Sequence, residues 1–420
     1  MKTVIKNVYI PGKDGKLNVL VEDKRIKKIT DEDLVGETVI DGVGNLLIPG
    51  FYNAHCHAAM TVFRGLSDDV PLDVWLFEHI FPAEDKLNDD IVKAGTTLAI
   101  AEMLAGGTVS FSDMYFFSDT VCGAVIDSGI KANVSRSYSS DNNTKPETDV
   151  RFREMERLVR DFNGYDDGRI IAEASIHSEY TNVAESVRRV AEYARENRLG
   201  MHVHISETEK EHKECIERHG KTPTAFLCDL GVLDVPTCAA HCVYVDDNDL
   251  KIMKDKGVSV AHNPVSNLKL ASGVMPIKKM LDAGINVALG TDGAASNNQL
   301  DMFREMQTAL LIHKGVNRES TLLSAKQAFE LATKNGAIAQ RRFDCGEIAV
   351  GNRADLVLLD TNAVNNVPVY DVYSMLGYSA KSSNVLMTMV DGRVLYEKGE
   401  YKTIDIEKVK YDVKRISKGF

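Results

Sequence analysis

The middle of the chain alternates short apolar runs with longer amphipathic stretches. The stretches, such as AESVRRVAEYARENR at residues 184–198, have the apolar spacing of helices that bury one face. Eight apolar runs occur between them: LLIPGFYNAH, TVSFSDM, KANVSRSY, IIAEASIH, LGMHVHIS, TCAAHCV, VSVAHNP and INVALGTD. Eight strands alternating with helices over roughly 300 residues predict an α/β fold, the (β/α)8 TIM barrel.

A doubly wound open sheet would give the same alternation and is the alternative fold. That fold usually carries a Gly-rich phosphate-binding turn after its first strand. Here the first run is followed by CHAAMTVFRG, which has no such turn. We therefore favour the barrel and assign it residues 49–345.

The two ends of the chain have a different pattern, with a period close to two residues. TVIKNVYI, KLNVLVED and ETVIDGVGNLLIPG lie at the beginning, and GEIAVGNRADLVLLD and SNVLMTMVDGRVLYEKGEY lie near the end. Such alternation is typical of strands with one buried face. We predict that residues 1–48 and 346–420 together form a small composite β-sandwich domain.

The net charge and composition of the chain limit the classes of binding partner. With 50 Lys and Arg against 61 Asp and Glu, the net charge is −11, which disfavours nucleic acid and anionic membranes as partners. The beginning of the chain lacks the apolar segment of a secretory signal, and no run is long enough to cross a membrane. The seven cysteines are scattered and form no CxxC pair, so we expect reduced thiols in a cytoplasmic protein, with a homo-oligomer as the ordinary base rate for its size.

The candidate chemistry lies at the predicted carboxyl ends of the strands, where a TIM barrel has its active site. His55 and His57 end the first run and, two residues apart, point to the same side. His204, His241 and Asp292 end the fifth, sixth and eighth runs. Two or three histidines with one carboxylate suit zinc or iron(II) with a position left for water, so we predict a catalytic metal site.

Neighbouring residues refine this hypothesis. His202 shares a face with His204, but we expect it to fill an interior layer of the barrel and not to bind the metal. Glu207 follows His204 closely enough to serve in proton transfer, although a solvated loop carboxylate is the alternative. No predicted strand end carries a lysine that could bridge two metals, which favours one divalent ion.

Longer motifs extend over nearly the whole chain: PGFYNAHCHAAMTVFRGLSDDVPLDVWL, MHVHISET, AHCV, HNPVSNLKLASGVMP, GTDGAASNNQLDMFREM and GEIAVGNRADLVLLD. With these motifs the chain resembles the amidohydrolase superfamily. Within that superfamily it is similar to the S-adenosylhomocysteine/5′-methylthioadenosine deaminases and their 5′-deoxyadenosine-deaminating relatives.

The resemblance implies hydrolytic deamination of an adenosine-type nucleoside to the inosine analogue and ammonia. It implies one divalent metal, zinc or alternatively iron(II). Glu207 would protonate ring N1, His241 would orient the attacking hydroxide, and Asp292 would take the proton from the water. The implied metal ligands are His55, His57, His204 and Asp292.

The resemblance also implies substrate contacts, by Trp75, Glu84, Arg136, His177 and Glu207. Glu84 would accept hydrogen bonds from the ribose hydroxyls, and Arg136 would meet a carboxylate. Two features depart from the family. The segment SIHSEYT around His177 is unusual, and neither Arg151 nor Arg153 can be aligned with a second carboxylate-binding arginine. The 5′ substituent of the substrate therefore stays open.

Two other functions share parts of this pattern. An amidohydrolase acting on guanine, cytosine or a triazine would have the same metal residues and would differ only in the pocket. A catalytically inactive barrel used as a scaffold is a further alternative, which the complete set of ligands together with Glu207 disfavours.

Overall fold

The structure, a computed structural model, describes residues 2–71 and 74–420. Its strands form two small sheets and a barrel. In chain order the strands are β1 (Lys2–Val8), β2 (Leu17–Glu22), β3 (Arg25–Thr30), β4 (Thr38–Asp41), β5 (Leu46–Pro49), β6 (Phe51–Cys56), β7 (Thr108–Tyr115), β8 (Lys131–Arg136), β9 (Ile170–Ser175), β10 (Gly200–Ile205), β11 (Thr237–His241), β12 (Ser259–His262), β13 (Asn286–Leu289), β14 (Leu356–Leu359), β15 (Val385–Val390), β16 (Arg393–Glu397) and β17 (Glu400–Tyr401).

A 3-10 helix, Ala58–Phe63, follows β6, and α-helices of six or more residues follow most of the other barrel strands. They are α1 (Asp89–Ala105), α2 (Ser118–Ser128), α3 (Val150–Phe162), α4 (Ala184–Glu196), α5 (Glu209–His219), α6 (Pro223–Asp229), α7 (Asp247–Lys256), α8 (Pro264–Lys269), α9 (Ile277–Asp282), α10 (Met302–Asn317), α11 (Ala325–Ala332), α12 (Lys334–Ala339) and α13 (Ile406–Ile416). A wide π-helical turn at Trp75–Ile80 runs into a single α-helical turn, Phe81–Glu84.

The barrel strands β6 to β13 are parallel and adjacent in chain order. The first and last strands approach each other as well, because the backbone N–H groups of Thr291 and Asp292 donate to the His55 carbonyl at 3.1 and 3.0 Å. This confirms the eight-stranded barrel. The closing contact also places the end of β13 beside the end of β6, at the same mouth of the barrel.

The small sheets have the strand orders β3-β2-β1-β4 and β17-β16-β15-β14-β5. Their pairs are antiparallel, except that β1 and β4 are parallel. Residues from both ends of the chain share one apolar cluster, which includes Ile5, Val19, Leu47, Leu356 and Met389. The predicted association of the two ends is therefore confirmed, while the domain boundaries at 48/49 and 345/346 stay a prediction.

Two further features bear on the rest of the molecule. Helix α13 was not predicted, and it follows the last strand and lies against α1 on the outside of the barrel. Across residues 2–71 and 74–420, no helix has both the length and the apolar character needed to span a bilayer.

Candidate active site

The carboxyl ends of four barrel strands bring the predicted histidines and aspartate to one point. Ring nitrogens of His55, His57 and His204 lie within 4.8 Å of one another, and so do the ligand atoms of His55, His241 and Asp292. Asp292 Oδ1 is 3.4 Å from His55 Nε2 and 3.2 Å from His57 Nε2. These five residues form what we call the histidine cluster.

The backbone at these strand ends is adapted to the cluster. His241 and Asp292 have φ angles of 73° and 59°, a left-handed conformation that few side chains adopt without strain and that recurs at functional sites. Gly290 lies two residues before Asp292, at a position with no room for a side chain. A Cβ there would lie 2.9 Å from the His55 Cβ. The sequence GTD thus lets β13 approach β6 closely enough for Asp292 to face His55.

Hydrogen bonds fix how most of the imidazoles point. Nδ1 of His57 faces the Met114 carbonyl at 2.6 Å, Nδ1 of His204 faces the His177 carbonyl at 2.8 Å, and Nδ1 of His241 faces Asn267 Oδ1 at 2.8 Å. These oxygens only accept hydrogen bonds, so each Nδ1 carries the hydrogen and each Nε2 offers a lone pair. His55 Nε2 is buried and makes no hydrogen bond within residues 2–71 and 74–420. Converging lone pairs and an orphaned buried nitrogen fit a bound divalent cation.

Asp292 supplies negative charge to the same point. Its Oδ2 accepts hydrogen bonds from the hydroxyls of Ser266 at 2.6 Å and Ser296 at 2.8 Å, which leaves Oδ1 facing the imidazoles. Burial alone would raise the pKa of Asp292, but the adjacent imidazoles of His55 and His57 hold that pKa well below its usual value. The carboxylate is therefore ionised and oriented.

A cavity of about 650 Å³ opens next to the histidine cluster. Several predicted substrate residues line it together with cluster members: His57, Trp75, Glu84, His177, His204, Glu207, His241 and Asp292. Burial raises the pKa of Glu84 to about 7, even though the Tyr115 hydroxyl donates to its Oε1 at 2.6 Å. Burial also lowers the pKa of His177 to about 4, so this ring is neutral at pH 7.

Glu207 extends into the cavity beside the cluster. Its Oε2 is 3.9 Å from His241 Nε2, and its Oε1 lies 3.4 Å from the Ser272 hydroxyl. Burial raises the pKa of Glu207, which favours its protonated form. A carboxyl group in this position can give a proton to a ligand in the cavity.

Sequence reasoning missed the residue that holds the Glu207 backbone. Glu211 is buried, and its two oxygens accept hydrogen bonds from the backbone N–H groups of Ser206 at 2.9 Å and Glu207 at 2.7 Å. Ser206 has a left-handed φ of 48°, so this contact supports an unfavourable turn. The only signal in the sequence was a second carboxylate four residues after Glu207.

The arginines separate into different roles. Arg136 is buried behind Ser137: its Nε donates to Glu154 at 2.6 Å and its Nη1 donates to the Ser137 carbonyl. Among the described residues that line the cavity, Arg151 is present and Arg136 is not. Arg151 is held by Asp149 through Nε at 3.0 Å and Nη2 at 2.7 Å, whereas Arg153 is exposed.

A parallel eight-stranded barrel with this cluster at its carboxyl mouth defines a metal-dependent hydrolase. The amidohydrolase family model matches residues 46–395, and the chain belongs to that family. The enzyme accordingly uses a divalent metal.

Relatives match the chain over nearly its whole length. It is 43% identical over 417 residues to a 5-methylthioadenosine/S-adenosylhomocysteine deaminase of Acetivibrio thermocellus, covering 99% of this chain and 95% of the relative. It is 44% identical over 390 residues to a 5′-deoxyadenosine deaminase of Methanothermobacter thermautotrophicus, covering 92% and 91%. A zinc-bound crystal structure of an adenosine deaminase from Xanthomonas campestris superimposes with a TM-score of 0.94 at 31% identity, covering 100% and 99% of the two chains.

Proposed function

We propose that the enzyme hydrolyses the 6-amino group of an adenosine-type nucleoside and releases ammonia and the inosine analogue. The main support for this proposal is the set of residues that line one cavity. Glu207, Glu84 and four members of the histidine cluster face it; these four are His57, His204, His241 and Asp292. Its volume of about 650 Å³ is in the range of pockets that enclose small ligands. The relatives named for the same reaction support the substrate class.

We assign one zinc ion to the histidine cluster, with iron(II) as the alternative. His55, His57, His204 and Asp292 would hold it, because imidazole nitrogens and a carboxylate oxygen are borderline ligands. His241 is the remaining member and would contact the attacking water. When bound, the metal supplies an activated water at neutral pH.

The chain's own residues account for the proton movements. Asp292 is an ionised member of the cluster, so it can take a proton from the attacking water. Glu207 can protonate ring N1, which prevents negative charge from accumulating on the purine as oxygen bonds to C6. The C6–N bond then breaks as C6 forms a double bond to oxygen. The leaving amine takes the proton held by Asp292 and departs as ammonia, and the C6 hydroxyl returns a proton to Glu207.

The rest of the cavity would select the substrate. Glu84 can accept hydrogen bonds from the ribose hydroxyls, and Trp75 and the neutral His177 offer ring surfaces to the nucleoside. For a carboxylate on the 5′ tail we now propose Arg151, because it lines the cavity. Arg136 would instead hold helix α3, which carries Arg151, through its bond to Glu154.

Ammonia release by the zinc-loaded enzyme tests the reaction. The panel is S-adenosylhomocysteine, 5′-methylthioadenosine, 5′-deoxyadenosine, adenosine, adenine and guanine, with kcat/KM for each. We expect turnover of the nucleosides and little of the free bases. Arg151→Gln, compared with the exposed control Arg153→Gln, should weaken S-adenosylhomocysteine selectively if this enzyme reads a carboxylate.

Two outcomes would change the proposal. Metal-loaded enzyme that is silent on every nucleoside but active on guanine or another amino-substituted heterocycle would move the function to that alternative. A protein that binds no divalent metal would contradict the hydrolase mechanism as a whole.

A further inference from the structure

A buried polar column extends from His55 into the barrel, and its two lower residues play no part in the chemistry described so far. His202, on β10, places its Nε2 2.9 Å from His55 Nδ1. On the other side of the same ring, His202 Nδ1 lies 3.7 Å from Glu173 Oε2 on β9. His55 and His202 are fully buried, and Glu173 is nearly so. We call His55, His202 and Glu173 the column.

His55 differs from the other histidines of the cluster in its Nδ1 partner. His57 and His204 face backbone carbonyl oxygens that only accept, so their tautomers are fixed. The nearest partner of His241 Nδ1 is the amide oxygen of Asn267 at 2.8 Å, with the amide nitrogen of Asn263 farther away at 3.4 Å. The partner of His55 is an imidazole nitrogen, which can either donate or accept. If His202 Nε2 donated, His55 would carry its hydrogen on Nε2 and would have no lone pair for a metal. The tautomer of His202 therefore decides whether His55 can be a ligand.

Glu173 biases that tautomer from below through its charge, because at 3.7 Å its Oε2 is the carboxylate oxygen near His202 Nδ1 but does not form a hydrogen bond with it. A carboxylate only accepts, so it favours the hydrogen of His202 on Nδ1, the nitrogen that faces it. The carboxylate is itself oriented, because Asn133 Nδ2 donates to Glu173 Oε1 at 2.9 Å. The Asn133 amide is fixed in turn, since Arg342 Nη2 donates to its Oδ1 at 3.1 Å. Arg342 thus orients the Asn133 amide, and Asn133 in turn orients the Glu173 carboxylate.

We propose that His202 and Glu173 are positioning residues that lock His55 in the tautomer with a free Nε2. This inference rests on the metal site of the proposed function. His202 and Glu173 lie in the interior of the barrel and do not line the cavity. A carboxylate behind a ligand histidine is a known way to fix and strengthen that ligand. Here the carboxylate would act through a second imidazole.

The first test measures zinc affinity by competition with a chelator, starting from metal-free protein. His202→Phe removes the acceptor and should weaken zinc binding by about 10- to 100-fold, the usual effect of losing a partner behind a ligand. His202→Gln retains an oxygen that can accept from His55 Nδ1 and should retain most of the affinity. Glu173→Gln keeps the shape and the Asn133 contact, and should give an intermediate loss.

A matched control is available elsewhere in the barrel. His313 on α10 is buried, and its Nε2 is 2.9 Å from His262 Nε2, the same kind of contact as in the column. His313 lies outside the histidine cluster. His313→Phe should therefore lower Tm as much as His202→Phe does, and leave zinc affinity unchanged.

A second readout follows the tautomer itself. In histidine-labelled protein, long-range ¹H–¹⁵N spectra should show His55 with its hydrogen on Nδ1 in the wild type. In His202→Phe, a mixture of His55 tautomers should appear. Wild-type affinity and a wild-type His55 spectrum in His202→Phe would overturn the proposal, and so would equal affinity losses in His202→Phe and His313→Phe.

These measurements also separate this inference from the proposed function. Metal binding by a wild type that deaminates no nucleoside would refute the substrate while the column test retains its full force. Failure of the wild type to bind any divalent metal would overturn both.

Discussion

The barrel holds a group of buried polar residues at each of its two ends, and they are built differently. At the carboxyl mouth, lone pairs and a carboxylate oxygen of the histidine cluster point towards one place, and His55 Nε2 makes no hydrogen bond to any residue that the structure describes. At the opposite end, Lys131 begins β8 and lies between Asp355 at 2.5 Å and Asp391 at 2.8 Å. The Tyr52 hydroxyl also donates to Asp355 Oδ2.

The charged groups around Lys131 are paired with one another. Burial alone would raise the pKa of Asp355, but Lys131 outweighs burial and lowers it, and the aspartates raise the pKa of Lys131. The backbone N–H of Asp391 satisfies Asp355 Oδ1 at 2.9 Å. Because Asp355 and Asp391 flank strands of the small sheets, this group joins them to the barrel. Buried charges that satisfy one another serve the fold, whereas imidazole nitrogens and a carboxylate oxygen that converge on one point indicate a bound cation.

The largest expected effect would come from Asp292→Asn, which tests whether the carboxyl mouth of the barrel serves catalysis and not stability. Asparagine cannot take a proton from water and is a poor ligand, so we expect turnover to fall by about 10³-fold or more. The metal-free protein should retain its Tm, because the cluster contributes ligand binding and not cohesion. Steady-state kinetics and thermal unfolding of the metal-free form check this. Turnover close to wild type would remove Asp292 from the proton path.

Asp355→Asn tests the structural end in the opposite sense. It leaves the buried ammonium of Lys131 with half of its compensation, and we expect the free energy of unfolding to fall by about 3–5 kcal/mol. The molecules that stay folded should keep the wild-type KM. Urea unfolding measures the loss, and Asp255→Asn is the control, because Asp255 forms an exposed pair with Lys251. That exposed pair should contribute at most about 1 kcal/mol. A loss no larger than the control's would deny the Lys131 group a structural role.

The catalytic end was the more predictable of the two from sequence. His55, His57, His204 and Asp292 sit at the ends of apolar runs, and parallel strands of a barrel bring such ends together. The eight strands were predictable for the same reason, since period and length identify each one separately. Lys131 has no comparable signal, because its partners lie over 220 residues away in sequence, beyond the range of any local pattern.

The predictions that failed or stayed incomplete depended on loops and on contacts inside the barrel. Arg151 enters the cavity because Asp149 caps α3 and holds its guanidinium, and the length of the preceding loop does not reveal this. His202 was correctly expected inside the barrel, but the period of two could not show that its partner is His55. Helix α13 has a clear polar and apolar face, yet we read the tail only as strands.

Glu84→Ala would sharpen the comparison within the catalytic end, by separating substrate recognition from chemistry. Losing a charged hydrogen-bond acceptor costs about 1.5–3 kcal/mol, so kcat/KM for nucleosides should fall by roughly 10- to 100-fold. Free adenine has no ribose and should be affected much less. Parallel kinetics on adenosine and adenine provide the measurement, with Tyr115→Phe as a milder variant that removes only the hydrogen bond to Glu84. Equal losses on both substrates would disprove the ribose contact.

The smallest expected effect is a pH dependence that follows from the same carboxylate. Burial raises the pKa of Glu84 to about 7, so its ionised, accepting form increases as pH rises through this value and disappears below it. KM for adenosine should therefore be about twofold higher at pH 7 than at pH 8, and should rise further towards pH 6. This rise in KM at low pH should be absent for adenine with the wild-type enzyme and for adenosine with Glu84→Ala. Glu207 acts in the other direction, because it must be protonated to serve N1, and its raised pKa shapes kcat for both substrates. The ratio of the kcat/KM profiles for adenosine and adenine cancels that shared contribution. A ratio that stays flat from pH 6 to pH 8 would show that Glu84 is not the group that reads the ribose.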